Sequence, residues 1–370
     1  MSKPATFSWI LDSGGAGRGA WQGGLIHQFM HWARLNGCYP SVSMGASAGG
    51  YAAADIATGT AATVMKGWTR WGNEGVPHPR GVPAGEKSFW GLGQFRLHLM
   101  ASIRYVMAES EISAVFDPGH SRKLLVLTTR VRRRDGREIG PSDIHHLFLR
   151  AATRKFPTPL KYLPRIYVEE PVVFATPLPQ ELSSEYVRPL TRQNYHRVLL
   201  ASCLVPLAMG SPLQAGQLDP GQEHGTATHH SGDHGAVFID GGYTMKMPMA
   251  IFEEDPVFRD LAQWAAADKT IIFCCDPRGM LWETSFRLRA LNQHPSVAKA
   301  IVENRLLAVS PDHPIEAGFL CCDNDVAMRT FRRGQEQADR LLASDSVRRF
   351  LEKIGSCSYA RASSPDILSQ

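Results

Sequence analysis

Cysteine spacing in this sequence excludes the common zinc-binding and dithiol motifs. The seven cysteines form no C-x-x-C pair, and four of them are direct neighbours, as Cys274-Cys275 and Cys321-Cys322. Each neighbouring pair lies in an apolar segment, where adjacent side chains alternate in direction and cannot easily bond to each other. We therefore expect reduced, buried thiols of the kind found in cytoplasmic proteins, and no catalytic cysteine.

Long uninterrupted apolar segments are also absent. Near the N-terminus only Phe7 to Leu11 is apolar, which is too short for the core of a signal peptide. The one uncharged stretch of membrane-spanning length is Val198 to Leu218, and helix-breaking residues interrupt it. These residues are Pro206, Gly210, Pro212 and Gly216. We interpret the stretch as buried core and expect a cytoplasmic protein.

Neither sign of charge dominates strongly. The 370 residues carry a net charge of +5, with 44% hydrophobic and 20% charged residues, as in ordinary globular proteins. This length indicates one large domain or one domain with an appendage. The mild basic excess is compatible with peripheral contact to an anionic membrane or with an acidic substrate, and we expect no nucleic-acid partner.

Acidic residues are missing from Ser13 through Ala54, a gap that covers a glycine-rich loop. The pattern predicts a strand from Thr6 to Leu11, a loop from Ser13 to Gly19 and a helix from Ala20 to Leu35. A G-x-G-x-x-A match suggests dinucleotide binding, but the acidic residue that such a fold needs about 20 residues later is missing. The loop Gly14-Gly15-Ala16-Gly17-Arg18-Gly19 suits an oxyanion site better, because successive N–H groups at a helix N-terminus hold negative charge.

A G-x-S-x-G motif follows the next predicted strand, Pro40 to Met44. The alanine-rich residues 48–57 behind it predict a helix. A serine on a sharp strand-to-helix turn exposes its hydroxyl and directs the following N–H at a developing oxyanion. Ser47 is therefore a candidate nucleophile, and its small neighbours Gly45, Ala48 and Gly49 let the turn close.

A third glycine turn, Asp240-Gly241-Gly242, follows the predicted strand Ala236 to Ile239. By itself it is typical of an ordinary β-turn. A serine nucleophile needs a base, however, and of the histidines only His294 and His313 follow Asp240, neither on a convincing strand-end loop. An α/β-hydrolase is disfavoured, because only two predicted strands precede the serine. Asp240 is the candidate base, since two glycines after it allow close approach.

The three motifs, each after a strand and in this order, resemble those of the patatin-like phospholipases, a family of lipid acyl hydrolases with a Ser–Asp dyad. The resemblance covers roughly residues 6–250 and includes the Ala201-Ser202…Pro206 stretch and Pro248. It implies a three-layer α/β fold with a mostly parallel central sheet. It also implies the site: Ser47 as nucleophile, Asp240 as base, and an oxyanion hole from Gly14, Gly15, Ala16, Gly17 and Arg18. Two departures are Ala16, where the family has glycine, and Met245-Lys246-Met247, where it often has Asn-x-x-Pro.

The resemblance further implies a two-step acyl transfer on phospholipids, lysophospholipids or simple acyl esters, without a metal or other cofactor. An acyltransferase with the same dyad and a catalytically weak membrane-docking binding protein remain alternatives. We expect residues 1–250 to form the catalytic core and residues 251–355 to complete the same domain. That second part contains a predicted strand, Thr270 to Cys275, and helices near 297–308 and 325–354. Residues 356–370 are expected to be a disordered tail.

Two other clusters are assigned ordinary roles. The histidines at 224, 229, 230 and 234, together with Asp233, lie in a polar loop that we interpret as solvated rather than as a zinc site. The arginines at 130, 132, 133, 134 and 137 flank Asp135-Gly136, which predicts a hairpin turn. We expect them to form a solvated sheet edge, with an anionic-membrane patch or a nucleic-acid patch as the alternatives.

Overall fold

The computed structural model describes residues 6–61, 63–64, 66–67, 93–117, 119, 122–153, 166–206, 209–218, 233–284, 287–318 and 323–352. The histidines at 224, 229 and 230, the cysteines at 321 and 322, and the predicted tail 356–370 lie outside these residues.

Among the described residues, a central sheet of nine strands organises the fold, and a separate two-stranded hairpin lies beside it. The strands are β1 (Phe7–Leu11), β2 (Val42–Ala46), β3 (Lys123–Arg133), β4 (Tyr167–Thr176), β5 (Val187–Pro189), β6 (Leu213–Gln214), β7 (Val237–Asp240), β8 (Lys269–Phe273), β9 (Leu281–Thr284), β10 (Arg287–Ala290) and β11 (Leu306–Val309). The main order is β11-β8-β1-β2-β3-β4-β5. The pairs from β11 through β3 are all parallel.

Helices cover both faces of the sheet. They are α1 (Gly15–Asn36), α2 (Ala48–Thr58), α3 (Gly93–Val106), α4 (Glu109–Val115), α5 (Pro141–Thr153), α6 (Tyr195–Cys203), α7 (Ala215–Leu218), α8 (Ala250–Glu254), α9 (Arg259–Trp264), α10 (Pro295–Val302), α11 (Asn324–Ala343) and α12 (Asp345–Glu352). Alternate residues of each strand face opposite sides. Trp9 and Leu11 therefore pack with α1, α2 and α11, whereas Ile10 packs with α8 and α9. The result is the predicted three-layer, mostly parallel α/β fold.

The long strand β3 brings two distant parts of the chain together. Its first half pairs with β2 in parallel, ending with Ala46 opposite Leu127. Its second half pairs with β7 in the antiparallel sense, beginning with Asp240 opposite Thr128. Since β4 pairs along the whole of β3, its other edge is occupied, and β2 and β7 share one edge. The two strands therefore point at each other, and their last residues meet.

The chain beyond residue 250 also contributes to this sheet. Strand β8 pairs with β1 on the side away from β2, and β11 pairs with β8. Helix α11 crosses α1 at two glycines: a Cβ on Gly24 would lie 1.9 Å from the Phe331 carbonyl oxygen, and one on Gly334 would lie 2.1 Å from that of Trp21. This backbone-to-backbone packing fixes the position of α1, the helix that begins with the glycine-rich loop.

Three of the secondary-structure predictions are wrong. Helix α1 begins at Gly15 rather than Ala20, because buried packing overrides the low helix propensity of glycine. The Asp135-Gly136 turn is not a hairpin, since α5 follows it and the antiparallel partners of β3 are the distant β4 and β7. The helix predicted at 297–308 ends at Val302, where Asn304 adopts a left-handed φ of 54°, and β11 follows.

No helix among the described residues is long and apolar enough to cross a membrane. Within Val198 to Leu218 the chain instead forms α6, β6 and α7, all shorter than a membrane span.

Candidate active site

The candidate nucleophile lies on a strained turn between β2 and α2. Ser47 has φ 56° and ψ −129°, a conformation that residues with side chains rarely adopt. A Cβ on Gly45 would lie 1.9 Å from the Gly49 carbonyl oxygen, and one on Gly49 would lie 2.4 Å from that of Asp12. Ala48 begins α2. The glycines of the motif are therefore required by close backbone contacts on both sides of the serine.

The candidate base lies at the end of β7, opposite this turn. Asp240 Oδ1 accepts a hydrogen bond of 2.7 Å from the N–H of Gly242. Its Oδ2 is buried and has no hydrogen-bond partner among the described residues. The following glycines are also in close contact, because a Cβ on Gly241 would lie 2.1 Å from the Leu127 carbonyl oxygen. One carboxylate oxygen is thus fixed, while the other is left to accept a proton.

Burial gives Asp240 a pKa suited to this task. The side chains of Ser47 and Asp240 are almost completely buried, at 3% and 4% exposure. Burial raises the pKa of Asp240 to about 7, whereas the Ser47 hydroxyl and the N–H of Gly242 act to lower it. The Ser47 hydroxyl is therefore close enough to interact with the carboxyl group. A carboxylate with this pKa is a stronger base than an exposed one and is still substantially ionised near neutral pH.

The glycine-rich loop supplies hydrogen-bond donors beside this pair. Gly14 precedes α1 at the end of β1, and β1 is the parallel neighbour of β2. Gly15, Ala16, Gly17 and Arg18 form the first turn of α1. Neither α1 nor α2 has a side-chain cap or an acidic residue in its first turn. The free N–H groups of two helix N-termini therefore lie at adjacent strand ends, where they favour negative charge.

The left-handed position of this loop is occupied by a glycine and not by the alanine. The left-handed residue is Gly15, with φ 64°, and Ala16 lies inside α1. Gly14 is the position with no room for a side chain, because a Cβ there would lie 2.6 Å from the Cys275 sulfur. The substitution of alanine for a family glycine at position 16 is thus compatible with the loop conformation.

Two contacts of the site were not predicted from the sequence. Ser202 Oγ on α6 accepts a hydrogen bond of 3.0 Å from the Ser47 N–H. Thr129 Oγ1 on β3 donates one of 2.9 Å to the Asp240 carbonyl oxygen. Both hydroxyls are buried. The only signal in the sequence was that Ser202 belongs to a stretch matching a family pattern, which assigns it no role.

A search against protein-family models matches residues 10–252 to the patatin-like phospholipases. The chain belongs to this family. The match extends from β1 to α8 and includes all three glycine motifs, and the members of the family are typically lipid acyl hydrolases. No curated protein matches the chain.

A second buried acid lies behind the loop of this patatin-like chain. Asp12 Oδ1 accepts a hydrogen bond of 2.7 Å from the Cys275 N–H, and its Oδ2 is buried without a partner among the described residues. Burial raises the pKa of Asp12, against the opposing effect of Lys246. Lys246, one of the residues that departs from the family pattern, is 2.6 Å from Asp276. This lysine therefore compensates the buried carboxylates of Asp12 and Asp276.

The prediction that the arginine run forms a solvated edge is wrong for Arg130. Its side chain is completely buried and bonds to Glu170, Glu185 and Asp233. Arg188 adds two hydrogen bonds of 2.7 Å to Asp233. The alternation of β3 turns Arg130 inward, where the acids of neighbouring segments compensate its charge. The other paired arginines of the run are Arg132 with Glu170, Arg133 with Asp135 and Asp143, and Arg137 with Asp135.

Within the part of the chain that the structure describes, no group of three His, Cys, Asp or Glu side chains could hold a metal ion. Asp233, which borders the histidine-rich segment, is bonded to Arg130 and Arg188.

Proposed function

We propose that this patatin-like chain is a serine lipid acyl hydrolase with Ser47 as nucleophile and Asp240 as its base. The observation that carries the proposal is the register of β3. It places a strained serine and a buried aspartate, from strands that point at each other, at one junction. The unpartnered Oδ2 and the pKa of about 7 support Asp240 as the proton acceptor.

The proposed reaction has two steps. Asp240 takes the proton from Ser47 Oγ as that oxygen attacks the ester carbonyl carbon, and the N–H groups of the glycine-rich loop hold the resulting oxyanion. Asp240 then gives the proton to the leaving alcohol as the C–O bond breaks, which leaves an acyl-serine. Water attacks this intermediate, Asp240 takes its proton and returns one to Ser47, and the fatty acid leaves.

The proposed substrates are phospholipids, lysophospholipids or simple acyl esters. If an alcohol replaces water in the second step, the same site acts as an acyltransferase. A catalytically weak membrane-docking binding protein is the competing proposal, and the arginine run gives it little support. That run is buried at Arg130 and ion-paired at Arg132, Arg133 and Arg137.

The test is hydrolysis of p-nitrophenyl butyrate by the wild type, Ser47→Ala and Asp240→Asn. The matched control is Ser43→Ala, because Ser43 is a buried β2 serine whose hydroxyl bonds to the Ala53 carbonyl oxygen, outside the site. We expect activity in the wild type and the control, and a loss of at least about a thousandfold in the two site variants. Activity that survives Ser47→Ala would disprove the assignment. Addition of glycerol or a lysophospholipid, whose hydroxyl can replace water in the second step, then measures the rate of acyl transfer relative to hydrolysis.

A further inference from the structure

The end of helix α6 contacts the backbone of both proposed catalytic residues. Ser202 Oγ accepts the 3.0 Å hydrogen bond from the Ser47 N–H, and two residues later the Leu204 carbonyl oxygen accepts one of 2.9 Å from the Asp240 N–H. Ser202 is completely buried, and Leu204 is 1% exposed. Residues 202–204, which we name the α6 clamp, therefore bind the chain at the ends of both strands that share one edge of β3.

The hydroxyl of Ser202 is used in both directions. It accepts from Ser47 and donates a hydrogen bond of 2.7 Å to the Leu127 carbonyl oxygen. Leu127 is the β3 residue opposite Ala46, and its carbonyl oxygen is also the atom that a Cβ on Gly241 would approach to 2.1 Å. The Ser202 hydroxyl thus links the turn that carries Ser47 to the Leu127 carbonyl oxygen of β3. The turn after Asp240 packs against the same oxygen.

We propose that Ser202 is a positioning residue that keeps Ser47 within proton-transfer distance of Asp240. The proposal rests on the proposed function, because it assumes that these two residues perform the reaction. The φ of 56° at Ser47 is unfavourable by itself, so the conformation persists only where its surroundings impose it. The hydrogen bond to the Ser47 N–H is one such constraint, and it acts on the residue that bears the reacting oxygen.

Replacement of Ser202 by alanine removes both hydrogen bonds and leaves the Ser47 N–H and the Leu127 carbonyl oxygen without this partner. A displacement of about 1 Å in a reacting group can lower a rate about a hundredfold. We therefore expect Ser202→Ala to lower kcat about 10- to 100-fold with little change in KM. The rate at which a fluorophosphonate labels Ser47 should fall by a similar factor, because it reports the reactivity of the same oxygen.

Ser43→Ala is the matched control for this experiment. Both serines are buried and both donate to a backbone carbonyl, but Ser43 bonds to Ala53 in the middle of α2 and does not contact Ser47. Both variants lose a buried hydroxyl, so we expect similar decreases in thermal midpoint. Only Ser202→Ala should have a lower kcat and a slower labelling of Ser47. Ser202→Thr, which keeps the hydroxyl, should recover most of both.

Equal kcat and labelling rates in Ser202→Ala and Ser43→Ala would overturn the positioning role. If Ser202→Ala does not fold, Ser202→Cys provides the same comparison, since a thiol is a weaker hydrogen-bond acceptor of similar size. Failure of the proposed function gives a different result. In that case Ser47→Ala keeps wild-type activity, or the wild type and Ser43→Ala are not labelled at all, whatever the effect at position 202.

Discussion

Replacing Asp240 by asparagine should make the protein more stable at pH 8 while it abolishes activity. An aspartate in the unfolded chain titrates near 3.8, whereas burial raises the pKa of Asp240 in the folded protein to about 7. Between these two values the folded state keeps a proton that the unfolded state has lost. Ionisation therefore costs the wild type stability as the pH rises from about 4 to about 7, and asparagine carries no such cost.

The magnitude follows from the difference between the two pKa values. Each pH unit is worth about 1.4 kcal/mol, so a difference of about three units corresponds to at most about 4 kcal/mol. At pH 4.5 the carboxyl group is already mostly ionised in the unfolded wild type but still protonated in the folded protein, so ionisation has cost the wild type about 1 kcal/mol. At pH 8 this cost reaches its maximum, and the variant should be more stable than the wild type by up to about 4 kcal/mol.

Urea denaturation of both proteins at pH 4.5, 6 and 8 measures this difference. Other buried acids, such as Asp12, titrate in both proteins and cancel in the comparison. Asp276→Asn is a control for which we expect the opposite change in the free energy of unfolding at pH 8. Although Asp276 is buried, Arg278 and Lys246 hold its pKa below the usual range, so its charge stabilises the folded state at pH 8. That variant should be less stable than the wild type there. A pH-independent difference between Asp240→Asn and the wild type would refute the reasoning.

Three further predictions concern pH, packing and charge. The kcat/KM should rise with pH to a plateau, with a midpoint near 7, because Asp240 must be ionised to accept a proton; a midpoint near 4 would contradict the role of burial. Gly49→Ala should lower the free energy of unfolding by about 1–3 kcal/mol and remove most of the activity, because its Cβ would clash with the backbone oxygens of Leu11 and Asp12. Gly216→Ala is the control, because open space surrounds Gly216, and it should change neither result in the same urea and esterase assays. Arg188→Met should cost about 1.5–3 kcal/mol in urea denaturation, because it removes two hydrogen bonds from the largely buried carboxylate of Asp233, which Arg130 still neutralises. Arg305→Met, in an exposed ion pair, should cost less than about 1 kcal/mol, and equal costs would show that the buried network is solvated.

Local structure around the serine could be predicted from the sequence, since short-range chemistry determines it. The strand β2, the sharp turn and the alanine-rich helix α2 all follow from residues within about 15 positions of Ser47. The same is true of β1 and β7, each of which ends at a glycine turn. A predominantly parallel sheet was also predictable, because strands alternated with helices from Thr6 onwards.

Long-range pairing could not be predicted in the same way. Nothing near Asp135-Gly136 indicates that the antiparallel partner of β3 begins at Tyr167 rather than directly after the turn. The burial of Arg130 depends on acids at positions 170, 185 and 233, which only the folded sheet brings together. Ser202 is a similar case. A serine in an apolar helix shows no function until the partners of its hydroxyl are known.

The direction of β7 connects this topology to the chemistry of the proposed base. Strand β7 runs antiparallel to β3 and ends against β2, so Asp240 lies at an internal junction with 4% exposure. This burial raises its pKa to about 7, close to the value that histidine has without any perturbation. The reversed strand therefore gives Asp240 a proton affinity similar to that which a serine–histidine enzyme obtains from its imidazole, as the proposed activation of Ser47 requires.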